Sequence, residues 1–260
     1  MNLYIDMGGT YTRYQIDNDN MVVVKDRDII SLLSDIIKKY PQIKQVNISF
    51  AGQVKDNIIL SAPNINIKNL DLHSYFPNIK FRVENDLNCA VLAESNYWKS
   101  GDIVALYIGT GIGAGVISGG RLINGFSNGA GEIGHIPFRQ APFLCGCGKD
   151  NCVELFSSGS AILKWAEYLN MDFKTLEELP PNLYNQFLEG ILYSTSILIT
   201  LFNPQILVLG GGVIEKNSFL IDYIQDNISQ YAFGSNLKDL EIVQTKLDNA
   251  SLEGCKLFKK

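Results

Sequence analysis

Three times in this chain an apolar run of strand length stops at glycine. Leu3 to Met7 leads into Gly8-Gly9, Val104 to Ile108 into Gly109-Thr110-Gly111, and Gln205 to Leu209 into Gly210-Gly211-Gly212. Glycine lacks a Cβ, so it turns tightly and lets backbone or an anion come close. Between these strands lie helical spacings. Ile29, Leu32, Leu33, Ile36 and Ile37 share one face of a segment ended by Pro41, and Asn182 to Asn203 is long enough for a core helix. Further strands are expected at Val46 to Phe50, Ile58 to Leu60, Phe81 to Val83 and Ile242 to Thr245, and helices at Leu70 to Phe76, Ala161 to Leu169 and Leu247 to Phe258. The alternation places the chain in the α/β class.

The first two glycine turns are each followed by a second strand, which predicts hairpins over Leu3 to Ile16 and over Val104 to Ser118. Small residues at such a turn let N–H groups and the Thr110 hydroxyl face a phosphate, although an ordinary hairpin uses the same residues. Asp6 interrupts its strand just before the glycines, with Thr10 and Thr12 after them. A carboxylate there can hold Mg²⁺ through water, or it can cap a hairpin. No G-x-x-x-x-G-K-[ST] occurs, so this is not a P-loop. After Val83 the chain reads Glu84-Asn85-Asp86, where a strand ends and a helix begins. Asn85 or Asp86 can cap that helix. Alternatively Asp86 faces ligand at the carboxyl end of the strand, a base toward one hydroxyl while Asn85 holds its neighbour.

His135 and the cysteines that follow it, Cys145, Cys147 and Cys152, form H-x9-C-x-C-x4-C, the Cys3His donor set of a closed structural zinc site. Gly146 and Gly148 let the loop bend around one ion. Disulfide bonding competes, but no basic and apolar leader opens the chain and the cysteines number five.

With 260 residues, 46% apolar and 19% charged, the chain can bury a sizeable core in one large or two modest domains. Its 22 basic against 27 acidic residues argue against nucleic acid as a partner. The longest nearly apolar run, Ile191 to Phe202, is too short to span a bilayer, so a cytoplasmic protein is expected.

Taken in order, D-x-G-G-T at Asp6 to Thr10, E-N-D at Glu84 to Asp86, G-T-G-I-G at Gly109 to Gly113, G-E-I-G-H at Gly131 to His135, C-G-C-G-x3-C at Cys145 to Cys152 and G-G-G at Gly210 to Gly212 resemble the ROK family of bacterial sugar kinases and related transcriptional repressors. The resemblance implies a two-lobed, actin-like ATPase (ribonuclease H-like) fold with ATP and sugar in the interlobe cleft. The lobes expected are 1–100 plus 246–260, and 101–245 with the zinc loop. By the same resemblance Asp6, Gly8, Gly9, Thr10 and Thr12 form the first phosphate loop, and Gly109, Thr110, Gly111 and Gly113 the second, with Gly210, Gly211 and Gly212 beside the adenosine. Gly52, Asn85, Asp86, Glu132, His135 and Glu154 fall at sugar positions, and Asp86 is the general base.

The function so implied is an ATP-dependent hexose kinase using Mg²⁺ and a structural Zn²⁺, a homodimer acting on the 6-hydroxyl of glucose. Allose, N-acetylmannosamine or fructose are alternative acceptors, and a catalytically silent sugar-binding regulator is the alternative of another class. Repressors of the family carry a DNA-binding domain before the first phosphate loop, and only five residues precede Asp6 here. Two departures stand out. Asn151 precedes the last cysteine where the family has glycine, an exchange expected to survive because Asn tolerates left-handed backbone. The segment between Thr12 and Val46 is also compact.

Overall fold

The structure is a computed structural model that describes residues 1–9, 11–25, 28–62 and 65–258. The chain divides into two compact units, one of residues Met1–Tyr97, Asn124–Ala130 and Leu247–Lys260, the other of Trp98–Ile123 and Gly131–Lys246. The 101–245 stretch is therefore not one continuous block.

In the first unit, β1 (Asn2–Met7) and β2 (Thr12–Ile16) make an antiparallel hairpin with Met7 opposite Thr12. The edge strand β3 (Val22–Val24) pairs with β2. Helix α1 (Ile29–Lys39) starts at Asp28, whose carboxylate accepts the Ile30 and Ser31 N–H groups, and buries Ile29, Leu32, Leu33 and Ile36. β4 (Gln45–Phe50) lies parallel to β1. A small antiparallel sheet follows: β5 (Gln53–Lys55), β6 (Ile58–Ala62) and β7 (Ile65–Leu70). Then β8 (Lys80–Asn85) joins β4 in parallel and passes directly into α2 (Asp86–Trp98). The main sheet has the order β3-β2-β1-β4-β8, so its three parallel strands end at one edge.

The helix expected over Leu70 to Phe76 is absent. Pairing of β7 with β6 claims the chain through Leu70, and Asp71 then caps a single 3-10 turn, Leu72–Ser74, by accepting the His73 N–H. Tertiary pairing overrides the local apolar spacing.

The second unit repeats this order. β9 (Ile103–Ile108) and β10 (Ile112–Ser118) form the hairpin, β11 (Arg121–Leu122) flanks β10, and α3 (Gly159–Leu169) and α4 (Pro181–Phe202) follow. β12 (Ile206–Gly210) lies parallel to β9, α5 (Gly212–Lys216) and α6 (Phe219–Asn227) come next, and β13 (Glu241–Gln244) lies parallel to β12. The sheet order is β11-β10-β9-β12-β13. Helix α4 buries Leu183, Phe187, Ile191 and Leu198 in the core of this unit and ends at Asn203 in left-handed backbone. The last helix, α7 (Ala250–Lys256), belongs to the first unit, where the buried Asn47 amide donates to the Cys255 carbonyl at 2.8 Å. Among the described residues no helix is long and apolar enough to cross a membrane.

One group in α4 is costly. The Thr195 hydroxyl is fully buried and has no hydrogen-bond partner among the described residues, whereas neighbouring Ser194 donates to the Gly190 carbonyl at 2.9 Å. Thr195→Val keeps the shape and removes the unpaired polar atom. It is expected to stabilise the protein by about 1 kcal/mol, raising the melting temperature by about 2 °C in a thermal scan. A fall of similar size would mean that the hydroxyl has a partner after all.

Candidate functional site

Register decides which side chains meet at the carboxyl edge of the first sheet. Asp6 stands opposite Ser49, Met7 opposite Phe50, and Phe50 opposite Asn85. The Asp6 carboxylate, 7% exposed, accepts the Ser49 hydroxyl at 2.8 Å and lies 3.4 Å from the Arg13 guanidinium. Burial raises its pKa above the ordinary 3.8, and the hydrogen bond from Ser49 and the charge of Arg13 only partly offset that. Gly8 N–H donates to the Tyr11 carbonyl at 3.2 Å to close the turn. Gly9 is exposed and Thr12 is fully buried, while Thr10 lies outside the described residues.

At the end of β8, Asn85 caps α2: its Oδ1 accepts the N–H groups of Leu87 and Asn88 at 2.9 and 3.2 Å. Its amide donates to the Gly52 carbonyl at 3.2 Å, so Gly52 and Asn85 are joined. Asp86 is the first residue of the helix and half-buried, and it also accepts the Leu87 N–H, at 3.0 Å. The capping reading thus holds for Asn85. Asp86 is left at the carboxyl edge, where parallel sheets bind ligands.

The second unit brings its own two glycine motifs to the corresponding edge. Gly109 N–H donates to the Gly111 carbonyl at 2.9 Å, and Gly113 is buried in β10. The Gly109 and Thr110 carbonyls accept the Gly159 and Ser160 N–H groups at the start of α3, at 2.7 and 3.0 Å. Gly210 lies against the Tyr107 ring, and Gly212 is exposed. Gly211 has φ 88°, and a Cβ there would sit 2.6 Å from the Ile108 carbonyl oxygen, so neither its conformation nor its space admits another residue.

His135, Cys145, Cys147 and Cys152 converge, their donor atoms all within 4.8 Å of one another. His135 Nδ1 is 3.5 Å from Cys145 Sγ, and Cys147 Sγ is 3.3 Å from Cys152 Sγ. The cysteines are free thiols, since a disulfide needs about 2.05 Å. Tetrahedral zinc with bonds of about 2.0 Å to nitrogen and 2.3 Å to sulfur separates neighbouring donors by about 3.5–3.8 Å, so this donor set fits the ion. Burial raises the pKa of the Cys145 and Cys152 thiols. The other nitrogen of His135, Nε2, lies 3.8 Å from the exposed Glu132 carboxylate. Glu154 touches both features of the unit, accepting the Cys145 thiol at 3.5 Å and the Ile112 N–H at 3.3 Å. Its carboxylate fills the space where Gly111 would carry a Cβ.

Asn151 corrects the expectation for the loop. It takes no left-handed backbone; the positive φ falls on Gly148, at 88°, and the Asn151 carbonyl accepts the Phe138 N–H at 2.7 Å. Several contributors were not singled out from sequence. Arg13 and Ser49 act through long-range register, which spacing does not reveal. Ser158, just before the helix expected from Ala161, accepts the Ala161 N–H and donates to the Glu154 carbonyl.

A sequence profile of the ROK family matches residues 3–259. A xylose repressor from Caldicellulosiruptor bescii is 26% identical, the match covering 96% of this chain and 76% of that one. A ROK family glucokinase from Streptomyces griseus, solved with glucose and AMPPNP, superposes with a TM-score of 0.78 at 23% identity, over 98% of this chain and 97% of that one. A ROK family transcriptional regulator, a homologue of the E. coli MLC protein, gives 0.80 at 22% identity over 97% and 76%. The fold is therefore the two-lobed actin-like ATPase fold.

Asp6 yields a test that is independent of activity. Because folding raises its pKa, the stability it contributes is present below the ordinary 3.8 and is lost as pH rises through the folded value. Above that value the buried charge is a net cost. Asp6→Asn is therefore expected to melt no lower than wild type, and higher, at pH 7, with the gap closing as the pH falls toward about 4. Thermal scans at the two pH values decide it: a lower melting temperature at pH 7 would mean that Ser49 and Arg13 outweigh burial.

Proposed function

The chain belongs to the ROK family, and from that premise we propose that it is an ATP-dependent hexose kinase that transfers the γ-phosphoryl group to a sugar hydroxyl. Glucose, at its 6-hydroxyl, is the first acceptor to expect, with allose, N-acetylmannosamine or fructose as alternatives. The observation that carries the reading is a pair of carboxylates in unlike settings at the carboxyl edge of one sheet. Asp6 is buried at the glycine turn, and Asp86 is half-buried at a helix start. Phosphoryl transfer needs both, one to govern the phosphate and its cation, the other to receive the proton of the attacking hydroxyl.

In this reading Asp86 is the general base, and Gly52, Asn85, Glu132, His135 and Glu154 hold the sugar hydroxyls. Asp6, Gly8, Gly9, Thr10 and Thr12 face one end of the triphosphate and Gly109, Thr110, Gly111 and Gly113 the other, with Gly210, Gly211 and Gly212 at the adenosine. Asp6 would hold Mg²⁺ through water, and the ion would supply neutralisation of phosphate charge. His135, Cys145, Cys147 and Cys152 would hold zinc as a closed crosslink that orders the loop, with no part in the transfer. His135 can serve the metal through Nδ1 while Nε2 faces Glu132 and the sugar. The reading carries with it a homodimer in the cytoplasm.

A second reading has support of its own, since both a repressor and a transcriptional regulator align over nearly the whole chain. In that reading the same residues bind sugar without transferring phosphate.

ADP release from Mg-ATP against a panel of hexoses separates the two. A sugar-dependent rate is expected, falling on the order of 10²-fold or more in Asp86→Asn. Sugar binding with no release above the background of that variant would leave the regulator. For the metal, elemental analysis is expected to find one zinc per chain, lost in Cys152→Ser. Chelation should lower the melting temperature and weaken hexose binding. Full stability and unchanged binding after complete metal removal would rule out the structural role.

A further inference from the structure

Residues Asn124–Ala130 belong to the first unit, although Ile123 and Gly131 on either side belong to the second. Their anchor is Glu84. Its Oε1 accepts the Asn128 amide at 2.7 Å, the Asn85 backbone N–H at 2.8 Å and the Asn88 amide at 3.0 Å, while among the described residues Oε2 has only the Asn124 amide at 3.5 Å. Asn128 also donates to the Val54 carbonyl at 2.8 Å. A carboxylate oxygen offers about two lone-pair positions. Oε1 therefore carries more donors than it can serve well, and Oε2 is under-used. Among the described residues no Lys, Arg or His lies within ion-pair distance of Glu84, so amide donors alone hold it. Hydrogen bonds to a charged acceptor are the strong kind, and loss of one redistributes the rest.

That redistribution reaches Asn85, because the oxygen that holds Asn128 also holds the Asn85 N–H. Asn85 in turn caps the helix that begins with Asp86. We propose that Glu84 and Asn128 form a latch whose closed state sets the position of Asn85 and Asp86, and thereby the binding of the acceptor sugar. They are positioning residues, and Asn128 lies four residues before Glu132 in the chain. The proposal rests on the hexose-kinase reading for its substrate, but the latch itself does not.

Two features of the segment make it testable. Asn128 has φ 61°, so Asn128→Gly keeps the backbone and deletes only the amide. Phe126 is 96% exposed, a cleavage site for chymotrypsin within the latched segment. In Asn128→Gly, cleavage after Phe126, followed by mass spectrometry of the fragments, is expected to accelerate about tenfold, as loss of a charge-assisted hydrogen bond implies. The hexose Kd by calorimetry and the hexose KM should rise by a similar factor, while the KM for ATP stays at the wild-type value and the melting temperature falls by only about 2–4 °C. Asn128→Asp sets a second carboxylate against Glu84 and should bind hexose more weakly still, with Glu84→Gln in that background recovering part of the loss.

Unchanged cleavage in Asn128→Gly would mean that no latch holds the segment. Faster cleavage with hexose Kd and KM unchanged, or equal shifts in both KM values, would reduce the pair to a loop anchor and overturn the positioning role. If wild-type protein binds hexose but releases no ADP, the kinase reading fails and the latch stands or falls on cleavage and Kd alone.

Discussion

The pairing register of three parallel strands is the constraint on which the first unit depends. Asp6 faces Ser49 across β1 and β4, and Phe50 faces Asn85 across β4 and β8. A slip of one residue in either pairing would turn alternate side chains to the opposite face. It would strip Asp6 of the hydroxyl that partly offsets its burial and detach Asn85 from Gly52. Register is held by what lies beneath: Leu3, Ile5, Val46, Ile48 and Phe50 are all fully buried, so a slipped strand would carry polar residues into the core. The chemistry at the edge is therefore bound to the packing of the sheet, and mutations deep in β4 act on Asp6 without touching it.

The second unit reaches the same layout with different residues. Hairpin, flanking strand and two parallel strands recur in the same spatial order, and both hairpins turn at glycine. The edges differ in what they present. The first offers carboxylates, at Asp6 and Asp86. The second offers the Gly109 to Gly111 turn, whose Gly109 and Thr110 carbonyls are taken by the start of α3 and whose Gly109 N–H is taken by the Gly111 carbonyl, so what the turn can present to a ligand is the Thr110 hydroxyl and its other backbone N–H groups. An edge of donors suits phosphate, and an edge of carboxylates suits cations and hydroxyls.

Much of this was legible in the sequence because it is local. A strand that stops at glycine is visible in a few residues, and so are the apolar helix face of Ile29 to Ile37 and the His135–Cys152 donor spacing. The Cys3His convergence needed only the right spacing and two glycines. What was not legible is nonlocal or competitive. Leu70 belongs to a strand because β6 lies beside it, which apolar spacing cannot report. Ser49 and Arg13 meet Asp6 only through register. Glu84 stood in full view within Glu84-Asn85-Asp86, yet its partners Asn124 and Asn128 lie some forty residues on, as the 40- and 44-residue separations of those bonds record.

Glu154 shows how the loop of cysteines and the glycine turn depend on one another. One oxygen accepts the Cys145 thiol, and the other accepts the Ile112 N–H directly after Gly111, whose missing Cβ is what lets the carboxylate in. The Ser158 hydroxyl ties the Glu154 carbonyl to the start of α3, which in turn caps Gly109 and Thr110. A cation on the sulfur atoms requires thiolates, so Cys145 would then have no proton to give. Glu154 would lose that donor and keep the Ile112 bond, leaving one carboxylate oxygen, fixed in place by backbone, in need of a new one. A sugar hydroxyl is such a donor. On the kinase reading, a metal that never touches the sugar still bears on its binding, by taking away the partner that otherwise occupies Glu154.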